Sequence, residues 1–381
     1  MDMLPYLQKM VQNEASDLFL TVDMPPCVRV HGDIVALTET NFSENDVTNA
    51  ILNLMSEAQK KEYLETNECN FAIDVKELGR FRVSAFVQRN QKGCVIRHIQ
   101  SKIPSIEELN LPSVVKALSM IKKGLIIVAG ATGMGKTTTI ASMLDCHNKL
   151  TRGHIITVED PIEYLHVHKK CIVTQREVGI DTSSFAIALK NAMRQAPDVI
   201  LVGEIRDVET MRHAISFAET GHLCLATLHA SNTTQALERI AHFFPEHVRD
   251  QLWLDLSLNM RAILAQRLIK KTDGQGRVVA MEVMINTPII SECIRKGEIQ
   301  SIREYIMRKD GVGMQTMDQA LFDLYEKGMI SEEEALHNAD SANNMRILMK
   351  MKNPNNGDSL QMDKKLEVHE DTGFVLKGRS S

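Results

Sequence analysis

The chain has 381 residues, enough for two or three domains, and its 44% hydrophobic and 24% charged residues are the balance of an ordinary globular protein. A formal net charge of −5 argues against a dedicated DNA- or RNA-binding surface, and no stretch approaches the roughly 18 uncharged apolar residues needed to span a bilayer. The seven cysteines form no C-x-x-C pair, which excludes a zinc signature and a disulfide framework; with a start, Met1-Asp2-Met3-Leu4-Pro5, that lacks the basic and apolar regions of a signal peptide, they predict a reducing cytoplasm.

Residues 1 to about 100 read as a small α/β domain of helices on a mostly antiparallel sheet. A helix is expected over residues 4–13 and a strand over 17–22, closed by Pro25-Pro26. Val28-Arg29-Val30-His31 and Ile34-Val35-Ala36-Leu37 flank Gly32-Asp33, a hairpin signal, and Ser43 opens a helix running toward Met55. Residues 71–73, 80–87 and 94–99 read as further strands. A linker with Pro104 and Pro112 occupies residues 101–112.

From about residue 113 to 270 apolar strands alternate with helices: 125–129 then 137–149, 154–158, 185–195 then 199–202, and 207–219 then 223–227. That alternation implies a parallel sheet covered on both faces. From about 275 to 345 the pattern reads as helical, with Ser331-Glu332-Glu333-Glu334 as a capping box and Gly328 as a helix stop. After about residue 345 the apolar periodicity fades, and 346–381 reads as a flexible tail.

The chemistry begins at Gly130-Ala131-Thr132-Gly133-Met134-Gly135-Lys136-Thr137, a phosphate-binding P-loop between the strand Leu125-Ile126-Ile127-Val128-Ala129 and a helix that opens Thr137-Thr138. Its glycines let backbone N–H groups turn toward phosphate oxygens, and the helix N-terminus adds partial positive charge. Lys136 is expected at the β- and γ-phosphates of ATP and the Thr137 hydroxyl on Mg²⁺. Hydrolysis also needs acids. Asp198-Val199-Ile200-Leu201-Val202-Gly203-Glu204 is an apolar strand ending in a carboxylate, which puts Glu204 beside Mg²⁺; alone, it is also a strand followed by a solvated turn. Thr157-Val158-Glu159-Asp160-Pro161-Ile162-Glu163-Tyr164 leaves three carboxylates near one sheet edge, any of which could take a proton from attacking water. His222 and His229 bracket the short strand between them. His229 stands at its outgoing end, where a γ-phosphate sensor would sit, though a single histidine there also serves as a cap.

These four ordered motifs, with Arg29-Val30-His31-Gly32-Asp33 and Arg80-Phe81-Arg82-Val83-Ser84-Ala85-Phe86, resemble the secretion-type ATPases of type II secretion and type IV pili, most closely their pilus-retraction PilT/PilU branch, over residues 1 to about 345. The resemblance implies a PAS-like N-terminal domain (1–100), a linker (101–112) and a RecA-like ATPase domain with C-terminal helices (113–345), assembled as a homohexamer. It assigns Glu163 as catalytic base and Glu204 as the Walker B acid, and suggests that N-terminal arginines, here Arg82 and Arg97, reach nucleotide phosphates. It further implies a PilT-like retraction ATPase and an inner-membrane pilus platform protein as partners, and a location peripheral to the inner membrane. The absent tetracysteine module favours retraction over pilus assembly. The segment 288–297 keeps the apolar spacing and Ile294-Arg295 of the branch's helical signature but not its full set of basic and amide residues. With the extended C-terminus, this favours the PilU-like side of the branch. Two functions follow: a motor that powers retraction, or a weakly hydrolysing subunit that assists a PilT-like ring.

Overall fold

The computed structural model describes residues 2–30, 33–99, 101–308 and 313–352. The N-terminal part runs α1 (Leu4–Gln12), β1 (Asp17–Leu20), β2 (Cys27–Val30), β3 (Asp33–Ala36), α2 (Glu44–Leu54), α3 (Glu57–Thr66), β4 (Glu68–Val75), β5 (Gly79–Gln88) and β6 (Gln91–Ile99). Its six strands are ordered β3-β2-β1-β6-β5-β4, with antiparallel neighbours throughout. Alternation decides the faces: Phe81, Val83 and Ala85 of β5 are buried, while Arg80, Arg82 and Ser84 stay partly exposed on the other side. Ser43 and Ser56 start α2 and α3 through capping boxes with Asp46 and Gln59. The second box was readable from sequence, yet α3 was not among the expected elements. The expected hairpin pairs β2 with β3, and its residues 31–32 lie outside the described residues.

Residues 101–112 carry no helix or strand. The rest runs α4 (Ser113–Ser119), β7 (Gly124–Ala129), α5 (Lys136–Leu150), β8 (Gly153–Glu159), β9 (Cys171–Glu177), α6 (Phe185–Ala192), β10 (Val199–Val202), α7 (Val208–Glu219), β11 (Leu223–Leu228), α8 (Thr233–Phe243), α9 (Arg249–Asn259), β12 (Met260–Lys270), β13 (Arg277–Ile285), α10 (Pro288–Lys296), α11 (Ile302–Met307), α12 (Met317–Glu326), α13 (Glu332–Asn338) and α14 (Ala342–Lys352). Seven strands form the order β13-β12-β7-β11-β10-β8-β9, parallel except where β13 turns back on β12. The chain is therefore α/β with a mixed, mainly parallel sheet. All six residues of β7 are buried because both faces are covered. Leu125, Ile127 and Ala129 pack toward α6, α7, α8 and α9, while Ile126 and Val128 pack toward α4 and α5. Each fully buried Leu or Ile here contributes about 1.5–3 kcal/mol.

Two expectations need correction. Residues 277–285 are strand β13 rather than helix: the near-continuous apolar run Val278-Val279-Ala280-Met281 and Val283-Met284-Ile285 buries itself by pairing with β12. The apolar pattern also does not end near residue 345; α14 continues to Lys352, with Met345 and Met349 buried against the helices before it. The remainder of the expected tail lies outside the described residues. Ser331 does cap α13 and Gly328 follows α12 with φ +67°, as the sequence indicates.

The consequence for function is the sheet's carboxyl edge. Gly203 N–H donates to Val158 O at 2.8 Å and Gly130 N–H to Leu228 O at 3.2 Å. These bonds hold level the loops that leave β7, β8, β10 and β11, as α/β ligand sites require.

Candidate functional site

The P-loop passes from β7 into α5. Gly135 caps α5 at φ +78°, a conformation that glycine adopts without strain. Gly130 is needed for close approach, since a Cβ there would lie 3.0 Å from Gln266 O. A cavity of about 410 Å³ opens above the loop. Thr132, Gly133, Gly135, Lys136, Thr137 and Thr138 line it, while Gly130, Ala131 and Met134 complete the loop without lining it. Lys136 Nζ donates to Gly130 O at 2.9 Å and Ala131 O at 3.0 Å. Burial lowers the Lys136 pKa, and the nearby carboxylates of Glu204 and Glu163 oppose that shift.

Three further predicted residues meet on the same cavity: Glu163, Glu204 and His229. Glu204 follows β10 and is gripped on both oxygens, by Arg206 Nε on Oε2 at 2.6 Å and by His229 Nε2 on Oε1 at 2.9 Å. Burial, then the Lys136 charge, lower the His229 pKa, so the imidazole is neutral at neutral pH and serves Glu204 as an N–H donor. Arg206 also reaches Asp160 at 3.4 Å. Glu163 stands exposed between β8 and β9, just after the cis Asp160–Pro161 bond.

Glu159 and Asp160 complete the acidic cluster. Glu159 is 5% exposed and differs in kind from its neighbours. Burial pushes its carboxyl up to about 7, although Thr157 Oγ1 donates to it at 2.6 Å and Gln175 Nε2 at 3.3 Å.

Arg82 and Arg97 do not line this cavity. Side by side on β5 and β6, they pair within the chain: Arg82 Nε lies 3.9 Å from Glu177, and Arg97 Nε donates to Asp17 at 2.8 Å. His222 lies at the opposite end of β11, with Nδ1 near Phe217 O and Thr220 Oγ1.

Sequence reasoning missed several participants. Tyr164 OH bonds Thr138 Oγ1 at 3.0 Å, joining the P-loop helix to the segment that carries Glu163. Gln266 Nε2 on β12 holds Met134 O at 2.6 Å. Leu268 and Arg277, on β12 and β13, also line the cavity. No local motif marks these residues in the sequence, because they reach the site from segments distant from the P-loop along the chain.

The donors suit a hard cation. Thr137 and Glu204 offer one hydroxyl and one carboxylate on the cavity, oxygen donors of the kind that Mg²⁺ takes when phosphates and water complete its shell.

Comparison with known proteins identifies the family. Residues 2–337 match the family described as Type II/IV secretion system protein. The chain is 51% identical to the Type IV pilus ATPase PilU of Pseudomonas aeruginosa over 96% of both chains. It is 42% identical to the Type IV pilus retractation ATPase PilT of the same organism, over 89% of this chain and 98% of PilT. A crystal structure of the pilus retraction motor PilT with bound ADP superposes with a TM-score of 0.84 at 40% identity, covering 91% of this chain and 99% of that one. Matched over residues 2–337 and 51% and 42% identical to these pilus ATPases over most of its length, the chain belongs to the type II/IV secretion system protein family, as an ATPase of its type IV pilus group.

Proposed function

We propose that the protein is a Mg²⁺-dependent ATP-hydrolysing motor that powers or assists type IV pilus retraction. The convergence of Lys136, Thr137, Glu163 and Glu204 on one cavity carries this reading. ATP is held with its β- and γ-phosphates on the P-loop N–H groups and Lys136, which exchanges its carbonyl partners for phosphate oxygens. Thr137 and Glu204 would hold Mg²⁺, which would supply positive charge against the phosphates. Glu163 takes the proton of a water attacking the γ-phosphorus, the bond from that phosphorus to the β–γ bridging oxygen breaks, and ADP and phosphate leave. His229 and Arg206 fix the Glu204 carboxylate so that it need not reorganise as charge moves.

The domain division is part of the proposal: a PAS-like domain over 1–100, a linker over 101–112 and a RecA-like ATPase domain over the second sheet and its helices, ending at α14. Two sheets with separate buried cores support it. In a homohexameric ring we assign Arg82 and Arg97 to the phosphates of a neighbouring protomer. The exposure of the Arg97 side chain supports that reading. Turnover then moves the N-terminal domain of one subunit against the ATPase domain of the next. Force passes to an inner-membrane platform protein, beside a PilT-like ATPase, with the motor on the cytoplasmic side. Among the described residues no helix is long and apolar enough to cross a membrane.

The test is twitching motility in cells lacking this protein, complemented with wild type or Glu163→Gln. Restoration by wild type alone is expected. Equal restoration by Glu163→Gln contradicts the motor reading and leaves the accessory role.

A further inference from the structure

We propose that Gln175 is a positioning residue for hydrolysis, clamping the segment between β8 and β9 so that Glu163 keeps its place in the cavity. This rests on the assignment of Glu163 as the base.

Residues 160–170 form neither helix nor extended strand, so their peptide groups need partners from elsewhere. Glu177 Oε2 accepts from Ile162 N at 3.4 Å and Asn148 O from Lys170 N at 3.0 Å, and two carboxamides supply others. Gln175 on β9 donates through Nε2 to Tyr164 O at 2.9 Å and accepts on Oε1 from His166 N at 2.8 Å. These bonds bracket residue 165 and reproduce the donor and acceptor that the peptide of a neighbouring strand would present. One of them falls on the residue directly after Glu163. The same Nε2 reaches Glu159 Oε1 at 3.3 Å, tying the segment to the buried carboxyl at its start.

The far half of the segment is held separately. Asn148 on α5, fully buried, donates to Val167 O at 2.8 Å and accepts from Lys169 N at 3.2 Å and Cys171 N at 3.1 Å. Loss of Gln175 therefore loosens the half that carries the base, where the Ile162–Glu177 and Tyr164–Thr138 bonds remain, and leaves intact the half that anchors the fold. Tyr164 gains a second restraint from Thr138, so the near half is referenced both to β9 and to the helix behind the phosphates.

The residue type matters. A carboxamide both donates and accepts at this reach, whereas a carboxylate accepts only and would oppose Tyr164 O and Glu159. Without the clamp, a drift of about 1 Å in Glu163 would cost on the order of 10²-fold in the chemical step. Nucleotide binding rests on the P-loop and does not pass through Gln175.

The test uses the full-length protein with Gln175→Leu and the isosteric Gln175→Glu. Each is measured for kcat and for KM toward MgATP, alone and in a Glu163→Gln background by single turnover. The expected result is a kcat loss of about tenfold or more with KM within about twofold, and no further loss once Glu163 is already replaced. A kcat within about twofold of wild type in both variants overturns the proposal, as does a parallel loss of nucleotide affinity or a further tenfold loss in the Glu163→Gln background. The base assignment fails differently: Glu163→Gln alone would then turn over like wild type.

Discussion

His229 Nε2 lies 2.9 Å from Glu204 Oε1, a bond between residues that leave adjacent parallel strands at one edge of the sheet. Both are set by the β10–β11 register, in which Val202 stands opposite Ala226. The imidazole donates to Glu204 Oε1 and so fixes the orientation of the carboxylate. His229→Ala should lower kcat by about 10–100-fold, the usual cost of losing a group that orients a metal-side ligand. Steady-state kinetics check this; an unchanged kcat would mean that the bond is only a cap on β11.

Arg206 grips the other Glu204 oxygen at 2.6 Å, and Glu204 in turn raises the pKa of Arg206 through that bond. Arg206→Ala should raise the Mg²⁺ concentration needed for half-maximal turnover several-fold, and excess EDTA should abolish turnover. Mg²⁺ titration at fixed ATP reads the first and a chelator control the second.

Gln266 ties the P-loop to β12 through Met134 O at 2.6 Å. Gln266→Leu removes that tether and leaves a carbonyl without its partner, a loss of about 1–1.5 kcal/mol, or roughly tenfold in affinity if the loop must be reordered on binding. Fluorescent-nucleotide titration measures the weakening directly, and the fold should persist because both core faces of the sheet remain packed.

Glu159 gives a pH signature in stability. Burial holds its carboxyl at about 7, above the ordinary 4.5. Between those values the folded chain keeps a proton that the unfolded chain releases, so stability from this group falls as pH rises through the window and is constant above it. Glu159→Gln keeps the acceptor for Thr157 and cannot ionise. Its thermal midpoint relative to wild type should therefore rise by on the order of a few degrees between about pH 4.5 and about pH 8. Scans at both pH values decide; a constant difference contradicts the buried ionisation.

Local features were legible in the sequence. The P-loop is a contiguous strand–loop–helix signal, and Ser43 and Ser331 announce their helices within four residues. Glu204 and His229 each follow an apolar strand, whereas Glu163 is one of three carboxylates near that edge and is singled out by the family resemblance alone. What stayed hidden depends on distance along the chain. Gln266 meets Met134 across 132 positions, and Tyr164 meets Thr138 across 26. Strand β9, Cys171–Glu177, carries too many polar residues to read as buried, because its far side is an open sheet edge. Strand β13 looked helical because its apolar run lacks a period that separates buried strand from buried helix.

Steady-state ATP hydrolysis by the full-length protein, beside Lys136→Ala and Glu163→Gln with nucleotide affinity measured on each, tests the central assignment most directly. The expected result is Mg²⁺-dependent turnover by wild type, loss of binding and turnover in Lys136→Ala, and retained ATP affinity with turnover down by at least about 10²-fold in Glu163→Gln. Undiminished turnover in Glu163→Gln would contradict the placement of the base on this loop.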